Sequence, residues 1–413
     1  MYNKPKLLVI LGAGSSIPCG MPSVESVDGL MKNWGREWVR DSSGTAAGDA
    51  FNVLWTIAKE YYGSNHYRIR PNYERILGEM TAMASWLSPS PFGTPLTSAV
   101  KDGTPVDALE CLLDPSDQYA ASVQVLEQHT FLLQRLAGHM RECSKAFDTR
   151  STEFMEYREF FRKLRCRFDV GIYNLNYDVV ACAAWPAAFN GFDCRGLFNS
   201  LSVSQRQEWG FIYHLHGSVH HCIDHQLAKP WVVWKESLEE PFTDCGIRQN
   251  DMAQDFKSIP LTTLISGGFK LDQLLTDPYQ TFYSTLVRHV HEADAILVVG
   301  YGFGDLHVNR ALQNRFERPD HDRPYPQVVI LEKSSPGKPQ TASLQSHDFW
   351  AYQLTHTLKV RFIITKEHLE QKLAVEPFIT SGGFEVASNR VAIWHGGFEK
   401  AFPAVDRIIR RLS

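Results

Sequence analysis

Residues 167–178, RFDVGIYNLNYD, constrain the fold of this chain more than any other stretch. The stretch begins with an apolar run, which predicts a buried parallel strand. The run ends in a group of polar residues: Asn174, Asn176, Tyr177 and Asp178. In open α/β sheets, ligands bind at the carboxyl ends of the strands, so this group predicts a functional site. The alternative is an Asx turn that caps the next helix, since Asn and Asp favour such positions.

Further strands are predicted at residues 7–11, 211–215, 261–265, 295–299 and 327–331. Between the first of these and residue 167, apolar-periodic segments at residues 51–62, 73–87 and 122–140 predict helices. Strands that alternate with helices indicate an α/β fold with a Rossmann-like doubly wound parallel sheet. The helices between the first two strands predict a helical insertion over about residues 45–165.

The last eighty residues are predicted to lie outside this sheet, as a small C-terminal α+β appendage. A helical stretch at residues 341–358 precedes the segment VRFIIT, and two short strands are then predicted at FEVAS and RVAIWHGG. A last helix follows, limited near its start by Pro403. Such an appendage is either an assembly surface or a lid over the sheet edge. The predicted domains are therefore a catalytic domain at residues 1–333 and the appendage at residues 334–413.

Composition excludes several classes of protein. The 413 residues carry a net charge of -4 and no basic block, so direct nucleic acid binding is not expected. No apolar stretch reaches the length of a membrane span, and no signal peptide is predicted at the start. The eight cysteines are scattered without the spacing of a disulfide scaffold. A cytoplasmic location away from membranes is therefore predicted.

The first predicted strand ends in a tight turn, Gly12, Ala13, Gly14 and Ser15, whose backbone amides could cradle a diphosphate. The third glycine of a dinucleotide fingerprint would fall at Ile17, and no acidic strand end follows about 20 residues later. A hydride-transferring dehydrogenase is therefore not favoured, while a nucleotide phosphate site remains open. A plain turn from strand to loop is the alternative.

Three later strands also end in polar or glycine-rich turns. His216 lies in the turn HLHGS, and the turn from Gly300 through Gly302 to Asp305 opens a helix where amides could meet a phosphate or ribose. Glu332 ends the last of these strands, where a carboxylate can accept a hydrogen bond from a ribose hydroxyl. Each turn alone is weak, and a single histidine at a strand end is more often structural than catalytic. Four such turns on one sheet edge favour a shared site.

Taken together, these motifs resemble the sirtuin-like family. GAGSS is similar to its first nucleotide turn, NLNYD to its Asn-x-Asp strand end, HLHGS to its His-Gly pair and VVGYGFGDLHVN to its late nucleotide turn. PNYERIL resembles a helix start of the bacterial defence branch. The resemblance implies that Asn176, Asp178 and His216 are catalytic. It implies nucleotide contacts at the following residues: Gly12, Ala13, Gly14, Ser15, Asn174, Gly300, Gly302, Asp305 and Glu332. Asn174 stands where threonine is common in the family, and Gly302 stands where serine is usual.

Protein-deacylating sirtuins carry paired CxxC zinc ligands after the His-Gly motif, and this chain does not. Its only downstream cysteines are Cys222 and Cys245, so no zinc is expected. A metal remains an alternative at one crowded cluster: His216, His220, His221, Cys222, Asp224 and His225. Without the zinc ribbon, water becomes the expected acceptor of the ADP-ribosyl group, which makes the chain an NAD+ hydrolase.

The resemblance extends this activity to a biological role. It implies an effector of bacterial anti-phage defence that depletes NAD, forms a homo-oligomer and is paired with a HerA-like ATPase. The chemistry suits the residues, because cleavage of the nicotinamide–ribose bond passes through an oxocarbenium-like state that needs positioning and one base. Asn176 would hold water or the ribose, His216 would accept a proton, and Asp178 would orient the ribose or the Asn176 loop. The alternatives are an NAD-dependent protein deacylase and a non-catalytic nucleotide-binding scaffold.

Overall fold

The computed structural model describes thirteen stretches of the chain, and every structural statement below concerns these residues. They are residues 4–41, 49–63, 70–87, 118–224, 231–243, 245–249, 258–266, 274, 276–317, 324–333, 349–359, 384–386 and 390–413.

A seven-stranded sheet forms the centre of the fold. Its strands are β1 (Lys6–Leu11), β2 (Asp169–Asn174), β3 (Phe211–His214), β8 (Ala295–Val299), β9 (Gln327–Leu331), β10 (Phe384–Val386) and β11 (Val391–Trp394). The strand order is β10-β11-β9-β8-β1-β2-β3, and every neighbouring pair is parallel except β10 with β11. The six parallel strands have the order of a dinucleotide-binding sheet, with its switch point between β1 and β8. The predicted Rossmann-like doubly wound sheet is therefore confirmed.

Two small hairpins lie between β3 and the next helix. One pairs β4 (His221–Asp224) with β5 (Trp231–Trp234), and the other pairs β6 (Cys245–Gln249) with β7 (Ser258–Thr262). The strand predicted at residues 261–265 was expected to continue the main sheet, and this prediction is wrong. Its first residues belong to β7, and Leu264 makes only an isolated bridge to Gly217. The apolar pattern indicated a strand but could not indicate its partner.

The helices fall into two groups along the chain. The insertion after β1 contains α1 (Val24–Asp41), α2 (Ala50–Gly63), α3 (Tyr73–Leu87) and α4 (Gln118–Lys145). The helices that follow are α5 (Thr152–Arg167), α6 (Val180–Ala184), α7 (Ser200–Ser204), α8 (Tyr279–Glu292), α9 (Leu306–Glu317), α10 (Phe349–Leu358) and α11 (Val405–Leu412). No helix of the described stretches is long and apolar enough to cross a membrane.

Strand β1 shows why the sheet is covered on both faces. All five residues from Leu7 to Leu11 are fully buried, which requires helices above and below. Alternate side chains of β1 enter two different cores. One core includes residues of α5, α6 and α11, and the other includes residues of α8, α9 and α10. Helices α1 to α4 contribute most of a third core, which also includes Tyr177, Val179, Val219 and Leu264. This agrees with the predicted helical insertion, although α1 lies before its predicted start at about residue 45.

The described C-terminal strands differ from the predicted appendage. β11 pairs in parallel with β9, and β10 pairs with β11, so both belong to the main sheet rather than to a layer outside it. Helix α11 packs against the same face as α5, with Ile408 fully buried. Three or four residues per strand give too little pattern to assign a sheet from sequence. Residues 341–348 of the predicted helix and the segment VRFIIT lie outside the described residues, and the boundary at residue 333 stays a prediction.

Candidate functional site

The carboxyl ends of β1, β2, β3 and β8 meet at one edge of the sheet, on either side of the switch point. Two glycine-rich turns lie there. The first turn comprises residues 12–16 after β1, and the late turn comprises residues 300–305 after β8. The functional residues predicted after β2 and β3 lie at the same edge, because these strands are parallel to β1. This edge is where open α/β sheets bind their ligands.

The two turns are in direct backbone contact. A Cβ atom on Gly12 would lie 2.5 Å from the carbonyl oxygen of Gly300, and one on Gly14 would lie 2.8 Å from the Cα of Gly300. Gly300 has a φ of 59°, in the left-handed region that favours glycine. These three glycines are therefore required by close packing between the turns.

The amides of the first turn are largely used within the protein. Gly12 N–H donates to the Val299 carbonyl over 2.9 Å, and Gly14 N–H donates to the Gly300 carbonyl over 3.1 Å. The N–H groups of Ser15 and Ser16 donate to the carbonyls of Gly12 and Ala13. The predicted use of this turn as a cradle of free amides would require these hydrogen bonds to open. The hydroxyl groups of Ser15 and Ser16, in contrast, face a side chain of the site, Asn176.

Asn176 is held by the two serines of the first turn. Its Nδ2 atom donates to Ser15 Oγ and to Ser16 Oγ, each over 2.9 Å, and its backbone N–H donates to Asn174 Oδ1 over 3.1 Å. Because both Nδ2 protons serve these serines, Oδ1 is the side-chain atom of Asn176 that can accept a hydrogen bond from a ligand or water. The side chain is therefore fixed in one orientation before any ligand binds.

Asp178 follows Asn176 by two residues and is almost fully buried. Burial raises its pKa to about 6, against hydrogen bonds from the Val180 backbone N–H and the Ser16 side chain that lower it. Ser16 thus connects the Asp178 carboxylate to the Asn176 amide. In this structure Asp178 is placed to orient the Asn176 loop through Ser16, which is one of the two roles predicted for it.

His216 forms a buried pair with the late turn. Its Nε2 atom lies 2.8 Å from Asp305 Oδ2, and both side chains are almost fully buried. In the tautomer in which Nε2–H donates to Asp305, the His216 ring carries its lone pair on Nδ1. The sequence predicted Asp305 as a nucleotide contact. The structure instead places its carboxylate where it fixes the orientation of His216.

Asp305 is itself fixed by the start of α9. Its Oδ1 atom accepts hydrogen bonds from the backbone N–H groups of His307 and Val308, over 2.9 and 3.0 Å, as a helix cap does. The Tyr301 hydroxyl lies within hydrogen-bond distance of the Asp305 carbonyl and of Asn309 Oδ1. Asn309 Nδ2 donates to the Phe303 carbonyl. The late turn is therefore rigid on its inner side.

The outer side of the late turn is open. A Cβ atom on Gly302 or on Gly304 would meet no atom within 4 Å, and both residues are exposed. Gly302, predicted to contact the nucleotide, thus lies where a ligand has access. Glu332 follows β9 at the same edge of the sheet. Burial raises the pKa of Glu332 to about 7, against the Lys333 backbone N–H and the His395 side chain, which lower it.

Three side chains of the crowded histidine cluster form contacts within the protein. His220 Nδ1 lies 2.8 Å from the Lys235 carbonyl, His221 Nδ1 lies 3.2 Å from the Tyr279 hydroxyl, and Cys222 Sγ accepts from the Thr243 N–H. Within the described stretches no group of three or more His, Cys, Asp or Glu side chains is arranged to hold a metal ion. His225 lies outside these stretches. The expectation of no zinc stays a prediction.

Two contributions to the site could not be identified as functional from sequence. Ser16 connects Asp178 to Asn176, although only the adjacent Ser15 was predicted to bind the cofactor. Tyr301 supports the turn that carries Asp305. The double serine in GAGSS was the one available signal for Ser16. For Tyr301 there was none, because an aromatic residue in a glycine-rich turn is more often a core residue.

The chain is similar to known proteins in part of its sequence. Residues 170–357, just under half of the chain, match a family model described as a SIR2-like domain. No curated protein matches the chain significantly. Among solved structures, a Sir2 homologue mutant with 2′-O-acetyl ADP-ribose is 12% identical, covers 90% of this chain and 95% of its own, and has a TM-score of 0.34. A Sir2 homologue in complex with NAD is 13% identical, with 86% and 90% coverage and a TM-score of 0.33. These identities and TM-scores are low. The roles of individual residues therefore rest on the geometry of this site.

Proposed function

We propose that the protein is an NAD+ hydrolase, which converts NAD+ and water to nicotinamide, ADP-ribose and a proton. One observation carries the proposal: the buried His216–Asp305 pair lies at the switch-point edge that also holds the fixed amide of Asn176. Cleavage of a glycosidic bond needs a base that is oriented by a carboxylate, together with a preorganised polar group. The similarity of residues 170–357 to SIR2-like domains supports NAD as the substrate.

The reaction begins with the departure of nicotinamide. The bond between its ring nitrogen and the ribose C1′ breaks, and the electron pair stays on nitrogen, which makes nicotinamide neutral. The ribose becomes oxocarbenium-like, and a water molecule attacks C1′. Asn176 Oδ1 accepts a hydrogen bond from this water, while His216 takes its proton on Nδ1 and Asp305 stabilises the resulting imidazolium.

Burial of these groups supports the same chemistry. Asn176, His216 and Asp305 are each less than a tenth exposed, so their hydrogen bonds lie in a region of low dielectric. Electrostatic stabilisation of a developing positive charge is stronger there than in bulk water. The nucleotide contact proposed at Gly302 lies on an exposed part of the same edge, and the one proposed at Glu332 lies on a partly buried part.

The biological role is the second part of the proposal. We propose that the hydrolase acts in the bacterial cytoplasm as an anti-phage effector, which depletes NAD and aborts infection. It would work as a homo-oligomer, paired with a HerA-like ATPase. This part rests on the resemblance of PNYERIL to a helix start of the defence branch, beside four motifs that resemble the sirtuin-like family. An unrestrained NAD+ hydrolase would kill its own cell, so activity should be low in the isolated chain and higher in the complex.

The central experiment measures nicotinamide release from NAD+ by the protein alone and together with the proposed HerA-like ATPase. We expect His216→Ala and Asn176→Ala to lower the rate by about 100-fold, which is the scale of one acid–base or positioning group. His356→Ala, an exposed histidine on α10, is the control and should keep the wild-type rate. Wild-type rates in both site variants would exclude this site.

The same assay separates the alternatives. Turnover that requires an acyl-lysine peptide and bound zinc would indicate a deacylase. Binding of NAD+ without release of nicotinamide, under all activating conditions, would indicate a nucleotide-binding scaffold.

A further inference from the structure

Tyr283 lies at the functional edge although no sequence motif includes it. It belongs to α8, which leads directly into β8, so the first turns of α8 lie at the carboxyl end of the strands. Its ring meets the His307 ring edge-on, with centroids 6.0 Å apart. It also packs against the core that contains Ile265 and against the core that contains Tyr301 and Phe303. Tyr283 therefore lies between the late turn and the segment that bonds His216.

Residues from several elements of the site surround the Tyr283 hydroxyl. Burial holds the pKa of Tyr283 well above its usual range, and the nearby Asp305, Tyr301, Glu74 and Tyr177 raise it further. The phenol is therefore protonated and can donate a hydrogen bond at neutral pH. Glu74 lies in the first turn of α3, so the helical insertion also reaches the surroundings of Tyr283.

The Tyr283 hydroxyl has no hydrogen-bond partner in the part of the chain that the structure describes, although the atom is buried. A buried hydroxyl without a partner costs about 1–3 kcal/mol, so such a group calls for an explanation. A second buried hydroxyl without a described partner belongs to Ser266, next to Ile265, whose N–H donates to the His216 carbonyl. The neighbourhood of His216 thus contains donors that the described fold does not use.

We propose that Tyr283 contacts the ligand, and that its hydroxyl donates a hydrogen bond to an oxygen of the ribose that carries nicotinamide. The proposal rests on the proposed function and assigns one specific contact to it. The position beside the His216–Asp305 pair selects this ribose rather than the adenosine half, because the pair acts at the C1′ atom of the same ribose. Tyr283 would thereby hold the reacting carbon against His216.

The test compares Tyr283→Phe with Tyr213→Phe in the full chain. Tyr213 also has a buried hydroxyl without a described partner, but its neighbours are Arg206 and Arg288 rather than the late turn. Calorimetry would use ADP-ribose, which contains the ribose in question, and ADP, which lacks it. One neutral hydrogen bond contributes about 1 kcal/mol, so Tyr283→Phe should weaken ADP-ribose binding by about 3- to 10-fold.

The other measurements separate a ligand contact from a structural role. Binding of ADP should not change in Tyr283→Phe, and the melting temperature of the free protein should stay the same or rise. Tyr213→Phe should leave both affinities unchanged. Unchanged ADP-ribose affinity in Tyr283→Phe, or an equal loss for ADP, would overturn the inference while the hydrolase proposal stands. If the wild type binds neither NAD+ nor ADP-ribose, the proposed function fails and the inference fails with it.

Discussion

The first turn and the late turn lie side by side at the switch point, and both are rich in glycine. Gly12, Gly14 and Gly300 leave no room for a side chain, because the two backbones touch there. Gly302 and Gly304 have open space above them. Glycine is therefore present for different reasons within one site. Close packing requires it at Gly12, Gly14 and Gly300, whereas the packing does not require it at Gly302 and Gly304.

This difference changes the interpretation of glycine-rich motifs. In the first turn, the glycines serve packing and the amides are bonded internally, while Ser15 and Ser16 orient Asn176. In the late turn, Gly302 is accessible while Asp305 orients His216. Each turn thus positions one of the proposed catalytic side chains through a polar residue, and the accessible glycine belongs to the late turn.

The largest expected effect comes from a methyl group at the contact between the turns. In Gly300→Ala the new Cβ would lie 2.5 Å from Gly14 Cα and Ser15 N, at a φ of 59°. Overpacking costs about 1–3 kcal/mol and left-handed backbone about 1–2 kcal/mol, so we expect a loss of about 2–5 kcal/mol in the free energy of unfolding. Gly302→Ala is the matched control and should change it by less than about 0.5 kcal/mol.

Urea unfolding monitored by circular dichroism measures both variants. If Gly300→Ala is as stable as Gly302→Ala, the two turns do not differ in the way described. That result would show that close packing does not require glycine at position 300 in solution.

The sequence was sufficient to predict the strands that are buried on both faces. The runs at residues 7–11, 295–299 and 327–331 consist almost wholly of apolar residues, and the structure places strands there. Such runs are typical of parallel strands under helices, so sequence and fold carry the same information. Residues 73–87 likewise coincide with α3, whose apolar residues recur at helical spacing.

Tertiary pairing could not be predicted in the same way. The bond between His216 and Asp305 joins residues 89 positions apart, and no local pattern encodes it. The sheet membership of β11 was missed because a four-residue strand has the same pattern in any sheet. This correction also affects experiment, since a truncation near residue 333 would remove β10, β11 and α11 from the core instead of removing an appendage.

The second prediction concerns the carboxyl behind the first turn. Burial raises the pKa of Asp178 to about 6, whereas an unfolded aspartate titrates near 4. Between about pH 4 and pH 6 the folded state therefore binds the proton that the unfolded state has lost, and stability falls as pH rises. Ionisation of Asp178 thus costs the folded state about 2–3 kcal/mol by pH 7.

Asp178→Asn should remove this part of the pH dependence, because the amide keeps the shape and cannot ionise. We expect the variant to lose about 2–3 kcal/mol less than the wild type when the free energy of unfolding is compared between pH 4 and pH 7. Asp169→Asn, an exposed carboxyl at the start of β2, is the control and should follow the wild type. Equal pH slopes for all three proteins would show that Asp178 is not held in a buried, proton-binding position.

The smallest expected effect concerns the open glycine of the late turn. Gly302→Ser places a hydroxyl at the position where serine is usual in the family that this turn resembles, and no atom within 4 Å opposes its Cβ. Stability should change by less than about 0.5 kcal/mol, since the position is exposed and unstrained. A hydroxyl that bonds the nucleotide would contribute about 1 kcal/mol, so ADP-ribose should bind about 3- to 5-fold more tightly. Gly304→Ser, in the same turn and equally open, should leave this affinity unchanged. Calorimetry of the two variants therefore tests whether nucleotide contact is specific to residue 302, and equal affinities in both would remove Gly302 from the proposed contacts.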